Sequence, residues 1–164
     1  MVVMAAGVRH GCRTFKGPLD PLENNWYGAG GIYRPVHLLV QNRTHIELDG
    51  LKVSTLSYAP AKILVETAAN GGEIYIEILD GDQVMASGHG AALEFEIENA
   101  RLWSDQTPHL YHCRASLWEN GQVVDEVSVS FGIRKVEWSN QGLFVNGQAT
   151  KLRGGCIHHD NGIL

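Results

Sequence analysis

The side chains that could do chemistry gather in two places. In Leu93-Glu94-Phe95-Glu96-Ile97-Glu98, three glutamates stand two residues apart. Residues two apart on an extended strand share a face, so Glu94, Glu96 and Glu98 would line up as paired carboxylates suited to acid–base work. Leu93, Phe95 and Ile97 then form a hydrophobic face on the other side. A solvated sheet surface is therefore the stronger reading of the glutamates. The second place is His158-His159-Asp160, close to the last residue. These three are metal-ligand types, but neighbours on a strand point to opposite faces, so His158 and His159 would not converge on one ion. His10, His37, His45, His89, His109 and His112 show no ligand spacing and read as surface or hydrogen-bonded histidines. Cys12, Cys113 and Cys156 are an odd, widely spaced set with no Cys-x-x-Cys, which argues against a disulfide framework and a zinc site. No metal and no cofactor are expected.

The elements that would carry these residues are strands. The alternation seen at 93–98 recurs at Ile74, Ile76 and Ile78, at Tyr111, Cys113, Ala115 and Leu117, and at Val127, Val129 and Phe131. Asn70-Gly71-Gly72, Asp80-Gly81-Asp82, Asn120-Gly121 and Asn146-Gly147 fall between the runs. Gly and Asn accept the positive φ of tight hairpin turns. Strands are expected at about 45–57, 61–68, 73–79, 83–87, 92–98, 109–119 and 122–132. Half-buried strands with one apolar face each must pair those faces, and two packed sheets do so. The expected fold is all-β: an immunoglobulin-like antiparallel β-sandwich of about seven strands, with irregular N- and C-terminal extensions.

Composition agrees with a globular domain. The chain has 164 residues, 44% hydrophobic and 19% charged, with a formal net charge of -5, so disorder is not the default. Without a Lys/Arg cluster there is no footprint for nucleic acid or an anionic membrane surface. No apolar run approaches the roughly 20 residues of a membrane span. The apolar start, Met1 to Arg9, lacks a basic n-region and is not read as a signal peptide. Free thiols favour a reducing, cytoplasmic compartment, with the periplasm or secretion left open. Residues 1–25 carry Gly7, Gly11, Gly17, Pro18 and Pro21 without a clean period, and read as an irregular arm.

The segments Trp26-Tyr27-Gly28 to Tyr33-Arg34-Pro35-Val36, Leu102-Trp103-Ser104, Phe131-Gly132-Ile133-Arg134, Leu152-Arg153-Gly154 and His158-His159-Asp160, in that order, resemble glycoside hydrolase family 2, the family of β-galactosidases, β-glucuronidases and β-mannosidases. Trp26-Tyr27-Gly28-Ala29-Gly30-Gly31-Ile32-Tyr33-Arg34-Pro35-Val36 is similar to the stretch that closes the family's sugar-binding jelly roll, with Ala29 where many members have Gly. Leu102-Trp103-Ser104 with Pro108-His109-Leu110-Tyr111 resembles a pattern of its sandwich. Phe131-Gly132-Ile133-Arg134, followed by Glu137, resembles the sandwich exit. Gly142, Phe144, Asn146-Gly147 and Leu152-Arg153-Gly154 resemble the lead-in to the barrel. His158-His159-Asp160 looks like the end of the first barrel strand.

The resemblance implies three parts: residues 1–42 as the tail of the jelly roll, 43–137 as the sandwich, and 138–164 as the entry to a (β/α)8 barrel. Such a barrel needs about 250 residues, so the tail is expected as an edge strand borrowed by the sandwich or as loosely ordered chain. Family members are retaining glycosidases and use two carboxylic acids about 5–5.5 Å apart. In the family these are glutamates on later barrel strands, beyond Leu164, so no residue of this chain takes a catalytic carboxylate role and the chain alone should be inactive. The resemblance makes His158 a sugar contact at the C-terminal end of the first barrel strand, where barrel active sites gather. Asp160 is a weaker candidate for the same subsite. A carbohydrate substrate is implied for the parent enzyme, a β-galactoside first and a β-glucuronide or β-mannoside next. A free-standing carbohydrate-binding or adhesion module is the alternative, and homo-oligomerisation is left open. Arg34 and Arg134 are expected to tie segments together through carboxylate or carbonyl contacts. Trp103 reads as a packing plug, and Trp118, beside the Asn120-Gly121 turn, as partly exposed.

Overall fold

A computed structural model describes residues 36–155. The described residues form ten strands and no helix. Seven of them build the sandwich: β1 (Ile46–Tyr58), β2 (Ala61–Ala69), β3 (Glu73–Asp80), β4 (Gln83–His89), β5 (Ala92–Glu96), β6 (Tyr111–Glu119) and β7 (Gln122–Phe131). One antiparallel sheet has the order β1-β2-β5 and the other β4-β3-β6-β7. The chain crosses between sheets after β2, β4 and β5, which is the immunoglobulin-like arrangement with its fourth strand beside β3. The compact unit that holds both sheets begins at Thr44.

Alternation places the core as expected. Ile63 and Val65 of β2 face Ile76 and Ile78 of β3 and Tyr111, Cys113, Ala115 and Leu117 of β6, all fully or almost fully buried. Glu94, Glu96 and Glu98 are exposed, and Lys62 Nζ lies 3.2 Å from Glu96 Oε2 at the surface. The outward face of the second sheet is polar as well, with Arg114 Nη2 donating to Glu77 Oε2 at 2.6 Å.

Turn chemistry sets the registers. Asn120 and Gly121 both have positive φ, 52° and 77°, so the β6–β7 hairpin turns in two residues with the twist its strands need. Strand β1 is interrupted by a bulge between Ile46 and Leu51, where Asp49 takes φ 57°. The first residue of β1 reaches the far sheet: the Ile46 N–H donates to Asp125 Oδ2 of β7 at 2.8 Å.

The segment after the sandwich departs from expectation. Its described part, up to residue 155, is not borrowed by the sandwich as an edge strand. Strands β8 (Val136–Ser139), β9 (Gly142–Val145) and β10 (Gln148–Thr150) form their own three-stranded antiparallel sheet, in the order β10-β9-β8. The reason is local. Gly142 has φ 121°, and Asn146 and Gly147 have φ 51° and 75°. These two tight turns let each short strand pair with the next before it can reach the sandwich edge.

Candidate functional site

The two sheets are bridged at one end by the 97–110 crossover from β5 to β6, and here the described residues make their most connected polar site. The Ile97 N–H donates to the Ala61 carbonyl at 2.9 Å, holding the crossover to the first sheet. Asn99 turns the chain with φ 52°. Farther along, the Trp103 N–H donates to the Ile133 carbonyl at 2.9 Å, joining the crossover to the segment that leaves β7.

Trp103 sits against Gly132, and the fit explains the glycine. A Cβ on Gly132 would lie 2.7–2.8 Å from Trp103 Cβ, Cγ and Cδ1, closer than any side chain tolerates. Over the indole, the Arg134 guanidinium carbon stands 4.7 Å from the ring centroid, a cation–π distance. Arg134 Nη1 also donates to the Gly132 carbonyl at 3.4 Å. This carbonyl belongs to the same segment, two residues back, so it is a local contact and not the tie between domains that was expected of Arg134. Trp103 is the packing plug the sequence suggested. Trp118 is 37% exposed.

Asn146 links this plug to the small sheet. Its Nδ2 donates to the Trp103 carbonyl at 3.0 Å, while its Oδ1 accepts the Lys135 N–H at 2.9 Å. Its own N–H donates to the Lys135 carbonyl at 2.9 Å. Replacing Asn146 by Ala removes both side-chain bonds and leaves a Cβ residue at positive φ. A cost of about 2 kcal/mol is expected from the bonds and the left-handed backbone together. Asn146→Gly, which keeps the backbone free, should cost less. Hydrogen exchange checks this: amides of β8–β10 should lose protection, whereas the Leu117 amide should not.

An open groove of about 620 Å³ lies beside the plug, lined by Trp103 and Arg134 with Val53, Thr55, Leu110 and Phe131 among its walls. Its one charged wall residue is Arg134, and its lining contains no carboxylate. The groove can take an apolar or anionic group, but it cannot supply the acid and base of glycoside hydrolysis.

At the crossover's stems, Arg101 Nη2 donates to both carboxylate oxygens of Asp80 at 2.5 Å, and His109 Nε2 lies 3.3 Å from Asp80 Oδ1. The Arg101 guanidinium holds the Asp80 carboxyl below its ordinary value, against the opposing effect of burial. Cys113, the free thiol of the described core, is pushed up to about 12 by burial. A thiol so rarely ionised is no nucleophile. Among the described residues no group of three or more His, Cys, Asp or Glu could hold a metal ion. The sequence-stated sugar contacts, His158 and Asp160, and Arg34 at the other end, lie outside the described residues. Sequence reasoning missed the Asp80–Arg101–His109 cluster and the side-chain role of Asn146; only the turn at Asn146-Gly147 gave a signal.

The model of the family described as glycosyl hydrolases family 2 matches residues 39–134, from before β1 to Arg134. The chain belongs to this family. A β-glucuronidase of Bacteroides fragilis is 31% identical over 85% of the chain and 24% of its own length. A β-galactosidase of Thermoanaerobacter pseudethanolicus is 30% identical over 76% of the chain and 19% of its own length. Family membership fits the fold. A β-glucuronidase from Ruminococcus gnavus, solved with D-glucaro-d-lactam, superposes with TM-score 0.64 over 70% of the chain and 20% of that protein, at 21% identity. The chain thus spans about a fifth of the length of these relatives.

Proposed function

We propose that this chain is the scaffold portion of a retaining glycosidase. In this reading residues 1–42 end a sugar-binding jelly roll, 43–137 are the sandwich, and 138–164 enter a catalytic (β/α)8 barrel. The observation that carries it is the pairing of a family match over 39–134 with relatives named as glycosidases that extend far past the matched part. The sandwich contributes position and no chemistry: the crossover, Trp103 and Asn146 fix where the chain leaves toward the barrel. His158, with Asp160 second, would contact the sugar from the end of the first barrel strand.

The parent enzyme would cleave β-galactosides. A β-glucuronide is the second reading, favoured by the name of the Bacteroides fragilis relative. The test uses nitrophenyl β-galactoside and β-glucuronide. The 164-residue chain should release no nitrophenol from either. The polypeptide expressed with the coding sequence that continues it should release nitrophenol from one of them. Turnover by the 164 residues alone would overturn the scaffold assignment. A reading frame that stops at Leu164 would remove the barrel.

A further inference from the structure

Asp80 ends β3, and its carboxylate grips a loop that belongs to neither strand of its own hairpin. Arg101, its hydrogen-bonded partner, and His109, whose Nε2 stands 3.3 Å away without a hydrogen bond, are the two stems of the β5–β6 crossover. Each stem is braced again by Tyr111 at the start of β6: the Arg101 N–H donates to the Tyr111 hydroxyl at 2.8 Å, and the His109 ring meets the Tyr111 ring edge-on at 4.7 Å. Between the stems lies Trp103, whose N–H holds Ile133 and whose carbonyl holds Asn146. A continuous path of contacts therefore runs from Asp80 through the crossover to the β8–β10 sheet.

We propose that Asp80 is a latch: its ionised carboxylate keeps the crossover shut, and loss of that charge releases Trp103 and the β8–β10 sheet before the sandwich core opens.

The chemistry of the partners supports a device of this kind. A guanidinium offers donors only, so protonating Asp80 leaves Arg101 one neutral carbonyl acceptor in place of two charged oxygens. The charge-assisted bonds that exist in the ionised state are about twice as strong as neutral ones. The Asp80 side chain is 17% exposed and that of Arg101 62%, so water can take over the guanidinium's donors but reaches the carboxyl less readily. The charged and titratable groups facing it are Arg101 and His109 of the crossover, with the Tyr111 phenol behind Arg101. Because Arg101 holds the folded-state pKa below the ordinary value of 3.8, the latch is fully engaged above that value. It is lost as the pH falls through the lower, folded-state value.

The experiment is an acid titration of the 164-residue chain followed by ¹H–¹⁵N correlation spectra. The Trp103 indole is identified by its disappearance in Trp103→Phe. In the wild type the Trp103 indole and the Asn146 side-chain amide signals should shift together below pH 3.8, at a higher pH than the one at which the Leu117 amide signal is lost. In Asp80→Asn both should already be displaced at pH 7 and should show no further acid response before the Leu117 amide signal is lost. An Asp80→Asn spectrum that overlays the wild type at pH 7 would overturn the proposal, as would an acid response in that variant that still precedes the loss of the Leu117 amide signal. If Asp80→Asn does not fold, the wild-type titration decides alone: simultaneous loss of the Trp103, Asn146 and Leu117 signals would refute a latch that opens before the core.

Discussion

Ile76→Ala is expected to lower the unfolding free energy by an amount in the upper half of the 2–5 kcal/mol, roughly, that large-to-small core changes cost. Ile76 is fully buried in the middle of β3. Directly opposite it stand Gly88 on β4 and Ala115 on β6, which share its face. Neither cross-strand neighbour has a side chain long enough to lean into the space that the removed atoms leave, so only the facing sheet can fill it and much of the cavity should persist. Val65 provides the contrast. Its opposite residues are Val53 on β1 and Leu93 on β5, larger side chains that can close on a smaller deletion. Urea unfolding of the two variants checks the order: the midpoint should fall farther for Ile76→Ala than for Val65→Ala, with the slope unchanged. Equal losses would mean that the second sheet collapses around the deletion as readily as the first.

Gly132→Val is the second large effect, and it comes from too much volume. The new Cβ alone would lie 2.7–2.8 Å from three Trp103 atoms. Trp103 cannot retreat freely, because its N–H is tied to Ile133, its carbonyl to Asn146 and its ring to Arg134. Overpacking of a constrained site costs about 1–3 kcal/mol, occasionally more, and the upper end is expected here. A double-mutant cycle separates this clash from a backbone effect. Combined with Trp103→Ala, the valine should cost much less than it does alone, giving a coupling of about 1 kcal/mol or more. A penalty that is the same with and without the indole would place the cause in the backbone of the β7 exit.

The sandwich was legible because its signals are local. Leu93, Phe95 and Ile97 alternate with glutamates, and Asn120-Gly121 marks a turn, whatever else the chain does. Two strand ends were read too long for reasons that are not local. Residues 97 and 98 were expected in β5, but Ile97 bonds to Ala61 and Asn99 turns left-handed just beyond. His109 was expected in β6, but its N–H goes to the Thr107 carbonyl at 2.8 Å and its ring goes to Asp80. The small sheet was missed although its Asn146-Gly147 turn was noted, since a four-residue strand such as Val136–Ser139 offers too short a run for a period to declare itself. The Asp80 cluster was invisible for a different reason. Its partner Arg101 comes 21 residues later, and nothing in a linear pattern says that a β3 terminus and a crossover stem will meet. Membership in glycosyl hydrolases family 2 was readable from ordered motifs, and three of their residues, Trp103, Gly132 and Arg134, pack on one another.

The bond from the Ile46 N–H to Asp125 joins positions 79 residues apart, the first residue of β1 to a residue of β7. Such closure gives the domain a late folding step. Loop-closure entropy must be overcome before the contact returns anything, which slows sandwiches relative to helical proteins. As the polypeptide is synthesised, β1, β2 and β5 can complete their sheet while the apolar faces of Ile63 and Val65 still await β6, and Ile46 waits longer, for β7. The interval between those events is when this chain most needs protection from aggregation.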